Sequence, residues 1–260
     1  MIIVSSTINS TRFLQKAEFL AAKLSLPFCE KADSEQCKLL LAYTESGLCL
    51  LQRSDNRKRY HRLLHADFVF GKTGFRLSKD LTIKQPLARA AGVRPGIRPT
   101  IFDATAGLGA DSLVLASLGC RVTMCERSPI IYAILEDGYL RAMEHAPTAK
   151  IIAENLTMIA GDSIAELAAR PREFDTIYLD PMYPHRSNSA LNSQAMRAIR
   201  MLVGDDIDGA KLLNAAINNA AKRVTVKRPA SASLLGARNP DHSVRMKNSR
   251  FDIYLIKGRH

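Results

Sequence analysis

Asp180-Pro181-Met182-Tyr183 is the stretch whose residue types point most specifically to chemistry, and it follows the apolar run from Phe174 to Leu179. The run reads as a strand, so Asp180 stands at its carboxyl end, where ligands of open α/β sheets bind. The lone pair of an exocyclic amine on a base is conjugated into the ring, which makes the nitrogen a poor nucleophile. A carboxylate and a rigid backbone carbonyl can each accept one of its N–H bonds and turn the lone pair toward an electrophile. That work falls to Asp180 and to the carbonyl of Pro181. The ring of Tyr183 can stack on an unpaired or flipped-out base. A strand ending in a proline turn is the bland alternative for the same residues.

A second acid stands at a telling distance from a glycine turn. Thr100-Ile101-Phe102 is a short strand, and Asp103-Ala104-Thr105-Ala106-Gly107-Leu108-Gly109 is a small-residue turn that lets a ligand approach the backbone. A helix over Asp111–Leu118 follows, with Gly119 to stop it, then a strand over Arg121–Cys125 with Glu126 just past it. Glu126 lies nineteen residues after Gly107, the place for an acid that grips ribose hydroxyls. The third glycine of a dinucleotide fingerprint is replaced by Ser112, so S-adenosylmethionine (SAM) is favoured over NAD. Asp162, after a third strand over Met158–Ala160, either holds an adenine amino group or caps the helix Ile164–Ala169, and the two roles are compatible.

Positioning these residues requires alternating strands and helices. Pro129–Met143 is expected to be a helix, Arg223–Lys227 a fifth strand, and Arg250–Lys257 a terminal strand forming a hairpin with His242–Met246. A helix is also expected to close over Asn214–Lys222. The fold class is therefore α/β: a doubly wound, mostly parallel, Rossmann-like sheet with an antiparallel terminal strand, plus a small α/β N-terminal module. The module spans residues 1–75 and the main domain 76–260. In the module, Ile2–Val4 is a strand, Thr11–Leu26 an amphipathic helix with Thr11 as N-cap, and Lys38–Tyr43 with Leu48–Gln52 a hairpin. Leu81–Ala91 reads as a short helix before a turn-rich linker.

The charge narrows the partner. Thirty-seven Lys and Arg against twenty-five acids give +12 over 260 residues, which suggests a polyanion, nucleic acid first. The excess is concentrated between Arg53 and Arg94 and from Lys222 onward. In the first stretch Arg57, Lys58, Arg59 and Arg62 are interleaved with Tyr60, His61, His65, Phe68 and Phe70, a pattern suited to phosphate contact and base stacking. For Phe68-Val69-Phe70 a buried strand is the competing expectation. The five cysteines show no C-x-x-C spacing, so reduced thiols are expected rather than disulfides or zinc. The apolar runs are too short to span a bilayer. MIIVSSTINSTRF lacks the marks of a secretory signal, and a cytoplasmic protein is expected.

DATAGLGADSLVLASLGCRV at 103–122, Glu126-Arg127, LDPMYPH at 179–185, VKRP at 226–229 and RFDIY at 250–254 together resemble the bacterial small-subunit rRNA (guanine-N2) methyltransferase J family. The resemblance runs from about Arg57 onward, with Met182 shared, Tyr183 where Phe also occurs, and Ala110 where Arg is expected. It implies a class I SAM-dependent methyltransferase acting on N2 of a guanosine near the 3′ end of 16S rRNA, as naked RNA or in a 30S particle, without a metal. It implies SAM contacts at Ala110, Asp111, Glu126, Arg127, Asp162, Ser163 and Asp180. With Asp103, Gly107 and Gly109 of the turn these make the expected cofactor set. Asp180, Pro181 and Tyr183 are the expected catalytic set. Arg57, Lys58, Arg59, Arg62, His185, Lys227 and Arg228 are the expected RNA contacts. The rivals are an enzyme of the same fold acting on DNA adenine or protein glutamine, a non-catalytic RNA-binding protein, and an NAD-dependent oxidoreductase.

Overall fold

A three-residue strand, β5 (Ile101–Asp103), is the axis of the molecule because the strands on both sides of it are parallel to it. The computed structural model describes residues 2–30, 38–54, 60–70, 81–181 and 208–257. β1 (Ile2–Ser6), β2 (Leu39–Thr44), β3 (Gly47–Arg53) and β4 (Tyr60–His65) form one sheet in that order. Besides β5, the second sheet contains β6 (Val122–Glu126), β7 (Leu156–Ala160), β8 (Thr176–Leu179), β9 (Arg223–Pro229), β10 (His242–Arg245) and β11 (Ser249–Leu255). Its order is β10-β11-β9-β8-β5-β6-β7, with only β11 and its two pairings antiparallel. The chain leaves β5 to one side through β6 and β7 and to the other through β8 and β9. That reversal opens a crevice at the carboxyl ends of β5, β6 and β8.

The helices are α1 (Thr11–Leu24), α2 (Pro86–Ala91), α3 (Ala110–Ser117), α4 (Pro129–Met143), α5 (Ala146–Asn155), α6 (Ser163–Ala169) and α7 (Gly209–Asn219). α4 has the bounds expected of it, with the Ser128 hydroxyl accepting the Ile131 N–H and Pro129 at the start. Other boundaries differ for local reasons. Ser10, not Thr11, occupies the N-cap of α1, and the helix stops at Leu24 because Ser25 turns left-handed at φ +53°. α2 begins only at Pro86, which needs no N–H partner in a first turn and holds Gln85 extended before it. α7 ends at Asn219, since Lys222 already donates its backbone N–H to Asp175 on the way into β9. α5 has no counterpart in the sequence reading, its start being masked by the polar, proline-containing His145-Ala146-Pro147-Thr148. Phe68-Val69-Phe70 forms no strand: Phe68 is buried in the main core, whereas Phe70 is 71% exposed.

Apolar strand residues pack between helices on both faces. Ile101, Val122, Met124 and Tyr178 belong to one cluster and Phe102, Ile177, Leu179 and Val226 to the other, the period-two alternation of a doubly covered sheet. Val4, Leu41, Leu50 and Leu64 of the first sheet share a core with Ala133 and Ile134 of α4. Asp137 of α4 reinforces that contact by accepting the Leu48 N–H at 2.8 Å. No helix among the described residues is long and apolar enough to cross a membrane.

Gly109 is the sharpest local constraint. Its φ is +73°, and a Cβ there would lie 2.8 Å from both Leu135 Cδ1 and Phe68 Cζ. Gly109→Ala is therefore expected to destabilise the protein by about 2 kcal/mol, from left-handed strain plus overpacking. Thermal unfolding lowered by less than one degree would show that neither term operates.

Candidate active site

The carboxyl ends of three strands are tied to one another by the residues that follow them. After β5, Ala104 donates its N–H to Tyr178 O of β8, and Ala106 donates to Cys125 O of β6. The Thr105 hydroxyl accepts the Asp180 N–H at 2.6 Å, so the glycine turn and the acid after β8 are set against each other. The Ser163 hydroxyl donates to Ala104 O at 2.7 Å and fastens the start of α6 to the same turn. Asp162 Oδ1 accepts the Ile164 and Ala165 N–H groups at 2.7 and 3.1 Å, which makes it the N-cap of α6.

These residues enclose a cleft of about 690 Å³ including its open mouth. Gly107, Glu126, Arg127, Asp162, Ser163, Asp180 and Pro181 all line it, joined by Thr105, Cys125, Ile131, Ile164, Asp208 and Leu212. Glu126 closes the buried end. Its Oε2 accepts the Gly107 N–H at 2.9 Å and its Oε1 the Ser128 N–H at 2.7 Å. Burial pushes its carboxyl above the ordinary glutamate value, against those two hydrogen bonds and the Arg127 charge. Asp180, at 40% side-chain exposure, stands nearer solvent, and its Oδ2 is 2.8 Å from Lys227 Nζ.

A family model for SAM-dependent methyltransferases matches residues 20–256. Ribosomal RNA small subunit methyltransferase J of Desulfotalea psychrophila is 47% identical over 248 residues, spanning 95% of this chain and 94% of that one. The protein of the same name from Thioalkalivibrio sulfidiphilus is 45% identical and covers 97% of each chain. The chain belongs to the ribosomal RNA small subunit methyltransferase J family. A solved relative, the SAM-dependent methyltransferase NGO1261 from Neisseria gonorrhoeae, superposes over 100% of this chain and 98% of its own at a TM-score of 0.69 and 29% identity.

Membership makes SAM the cofactor, and the cleft fits it. Among the described residues, four carboxylates (Glu126, Asp162, Asp180 and Asp208) and one cation, Arg127, line the cleft, a field that suits a sulfonium with an ammonium group better than a pyrophosphate. Ile131, Ile164 and Leu212 supply apolar walls for an adenine ring. Asp208 and Leu212 escape a reading of the sequence because only the packing of α7 brings them to the cleft.

Four residues expected at the cofactor do not line the cleft. Asp103 is buried beneath the turn, its oxygens taken by the Thr105 N–H at 3.1 Å and the Ser112 hydroxyl at 2.5 Å. Gly109 packs on Leu135 and Phe68. Ala110 opens α3, and Asp111 faces away from the cleft toward Tyr178 and Lys227. Two residues expected at RNA have partners within the chain. Lys227 is half-buried and engaged by Asp111 and Asp180, and Arg228 is 4% exposed with its Nη2 on Ser233 O. Arg62 is exposed on β4. Arg57, Lys58, Arg59, Tyr183 and His185 lie outside the described residues.

Burial pushes the Asp103 carboxyl up to about 7, despite the Ser112 and Thr105 hydrogen bonds and aided by the Asp111 and Asp180 charges. The raised value means the folded protein keeps this proton after the unfolded chain has lost its own. Stability is then fully present below about pH 4 and falls as pH rises to about 7, by up to about 4 kcal/mol. Asp103→Asn, which mimics the protonated form, is expected to flatten that decline. The check is the stability difference between variant and parent in urea unfolding at pH 4, 5.5, 7 and 8. A difference that stays constant across the series would refute the assignment.

Proposed function

We propose that this enzyme transfers a methyl group from SAM to the exocyclic N2 of a guanosine near the 3′ end of 16S rRNA in the cytoplasm. The observation that carries the reading is Asp180-Pro181 at the rim of a cleft whose buried end is closed by Glu126. The names of the relatives support ribosomal RNA as substrate, and the +12 net charge favours a polyanion. Guanine N2 and the 3′ end rest on the resemblance of the LDPMYPH and VKRP motifs.

SAM supplies an electrophilic methyl carbon on a sulfonium. In this reading Glu126 holds the ribose hydroxyls, Asp162 the adenine amine, and Gly107, Arg127 and Ser163 complete the cradle. Asp180 accepts one N–H of the guanine amine and the Pro181 carbonyl the other, which directs the nitrogen lone pair at the methyl group. Asp180 would also accept the surplus amine proton once the nitrogen has taken the methyl group. Tyr183 stacks the base, and Arg57, Lys58, Arg59, Arg62 and His185 hold backbone phosphates. Residues 1–75 form the N-terminal module and 76–260 the catalytic domain, a division supported by the two separate sheets.

Tritium transfer from labelled SAM tests the reading, using 30S subunits and naked 16S rRNA that lack the modification, followed by nucleoside analysis. N2-methylguanosine is the expected product. Label on another base, on DNA or on protein, or tight SAM binding with no transfer to RNA, would overturn the substrate assignment.

A further inference from the structure

Lys227 projects from β9 with its side chain 30% exposed, and its Nζ lies 2.8 Å from Asp180 Oδ2 and 2.8 Å from Asp111 Oδ2. Asp111 Oδ2 also accepts the Tyr178 hydroxyl at 2.8 Å. The ammonium thus bridges two acids brought together from the end of β8 and the first turn of α3. With the Asp180 N–H on Thr105 Oγ1, both the backbone and the carboxylate of Asp180 are fixed. Burial alone would make the Lys227 ammonium more acidic; the Asp180 and Asp111 charges and hydrogen bonds more than reverse this, and Lys227 stays cationic.

We propose that Lys227 is a positioning residue for methyl transfer, holding the Asp180 carboxylate in one orientation and in its ionised form. The inference rests on the proposed role of Asp180 and adds the group through which that role is sustained. A lysine recruited for RNA phosphate would present its charge to solvent. Here one ammonium lies between two carboxylates, and the trio carries a net negative charge that repels phosphate.

Among the described residues, the groups near Asp180 include Lys227 from β9, Asp111 from α3, Asp103 from the end of β5 and Tyr178 from β8. Lys227 alone among them is a cation. Removing it takes a positive charge from beside Asp180 while the Asp103 and Asp111 carboxyls stay, which favours the protonated carboxyl and turns an acceptor into a donor; one neighbouring charge moves a carboxylate by about 1–3 pH units.

The test compares Lys227→Met and Lys227→Arg with the parent full-length enzyme, using SAM and 30S subunits or 16S rRNA lacking the modification, between pH 5 and 9. Lys227→Met is expected to lower kcat about 30-fold or more, with KM for RNA and Kd for SAM within about threefold, and to move the acidic limb of the kcat profile up by about one pH unit. Lys227→Arg is expected to recover most of the rate and the original limb. If Lys227→Met does not fold, Lys227→Met with Asp111→Asn removes the added like-charge repulsion and is read against Asp111→Asn alone.

An unchanged kcat and profile would overturn the inference, as would a raised KM for RNA at constant kcat, which would return Lys227 to phosphate binding. A lowered rate with an unmoved acidic limb would also overturn it by marking a purely structural role. Parent enzyme that transfers no methyl to RNA would instead defeat the underlying functional reading.

Discussion

Asp180→Ala is expected to lower kcat for methyl transfer by about 10³-fold, the scale of a lost positioning and proton-accepting group. The substitution removes the acceptor for the amine N–H and leaves the Lys227 ammonium with Asp111 as its remaining carboxylate partner of the two seen here. Kd for SAM should change by less than about tenfold, because the Glu126 end of the cleft, with its Gly107 and Ser128 hydrogen bonds, is untouched. Asp180→Asn should fall between parent and Ala. Its carbonyl oxygen can still accept one N–H, but the ion pair with Lys227 is gone. Single-turnover transfer at saturating SAM, with calorimetry of SAM binding beside it, checks both parts. Undiminished turnover in Asp180→Ala would eliminate the mechanism.

Glu126→Gln should act on the other half of the reaction. Each carboxylate oxygen accepts a backbone N–H, from Gly107 and from Ser128, and an amide can accept only one of these. The other donor then faces an NH₂ group in a buried site. A lost hydrogen bond to a charged group is worth about 1.5–3 kcal/mol, and the ribose contact proposed for the carboxylate weakens with it. Kd for SAM is therefore expected to rise about 10²-fold, whereas kcat at saturating SAM stays within about fivefold because Asp180 keeps its partners. Calorimetric titration decides the first expectation and saturation kinetics the second. A fall in kcat with unchanged Kd would move Glu126 from cofactor binding to chemistry.

The contrast between these two acids and Lys227 shows where the sequence was legible. Glu126 stood out by its distance from Gly107, and the hydrogen bond between them spans that same interval. Asp162 stood out as the residue before a helix, and its capping bonds reach only two and three residues ahead. Asp103 had as strong a claim from its place in the turn, yet its side chain points beneath the loop to Ser112. The helix α5 left no periodic signal strong enough to read, and its packing beside α4 and β7 holds it in place.

The sequence by itself determined the alternation of strands and helices, the family, and the acids at the ends of β6 and β8, because strand length, turn chemistry and capping are short-range effects that adjacent residues settle. Only the tertiary structure decided which acids meet. Lys227 and Asp111 are 116 residues apart and Lys227 and Asp180 are 47 apart. They converge because β8 lies between β5 and β9, which stacks the start of α3, the end of β8 and β9 at one edge of the cleft. From the sequence, Lys227 in a basic cluster is a surface charge. In the folded sheet its strand brings it beside two carboxylates, and the half-buried ammonium persists there because they offset its partial loss of water.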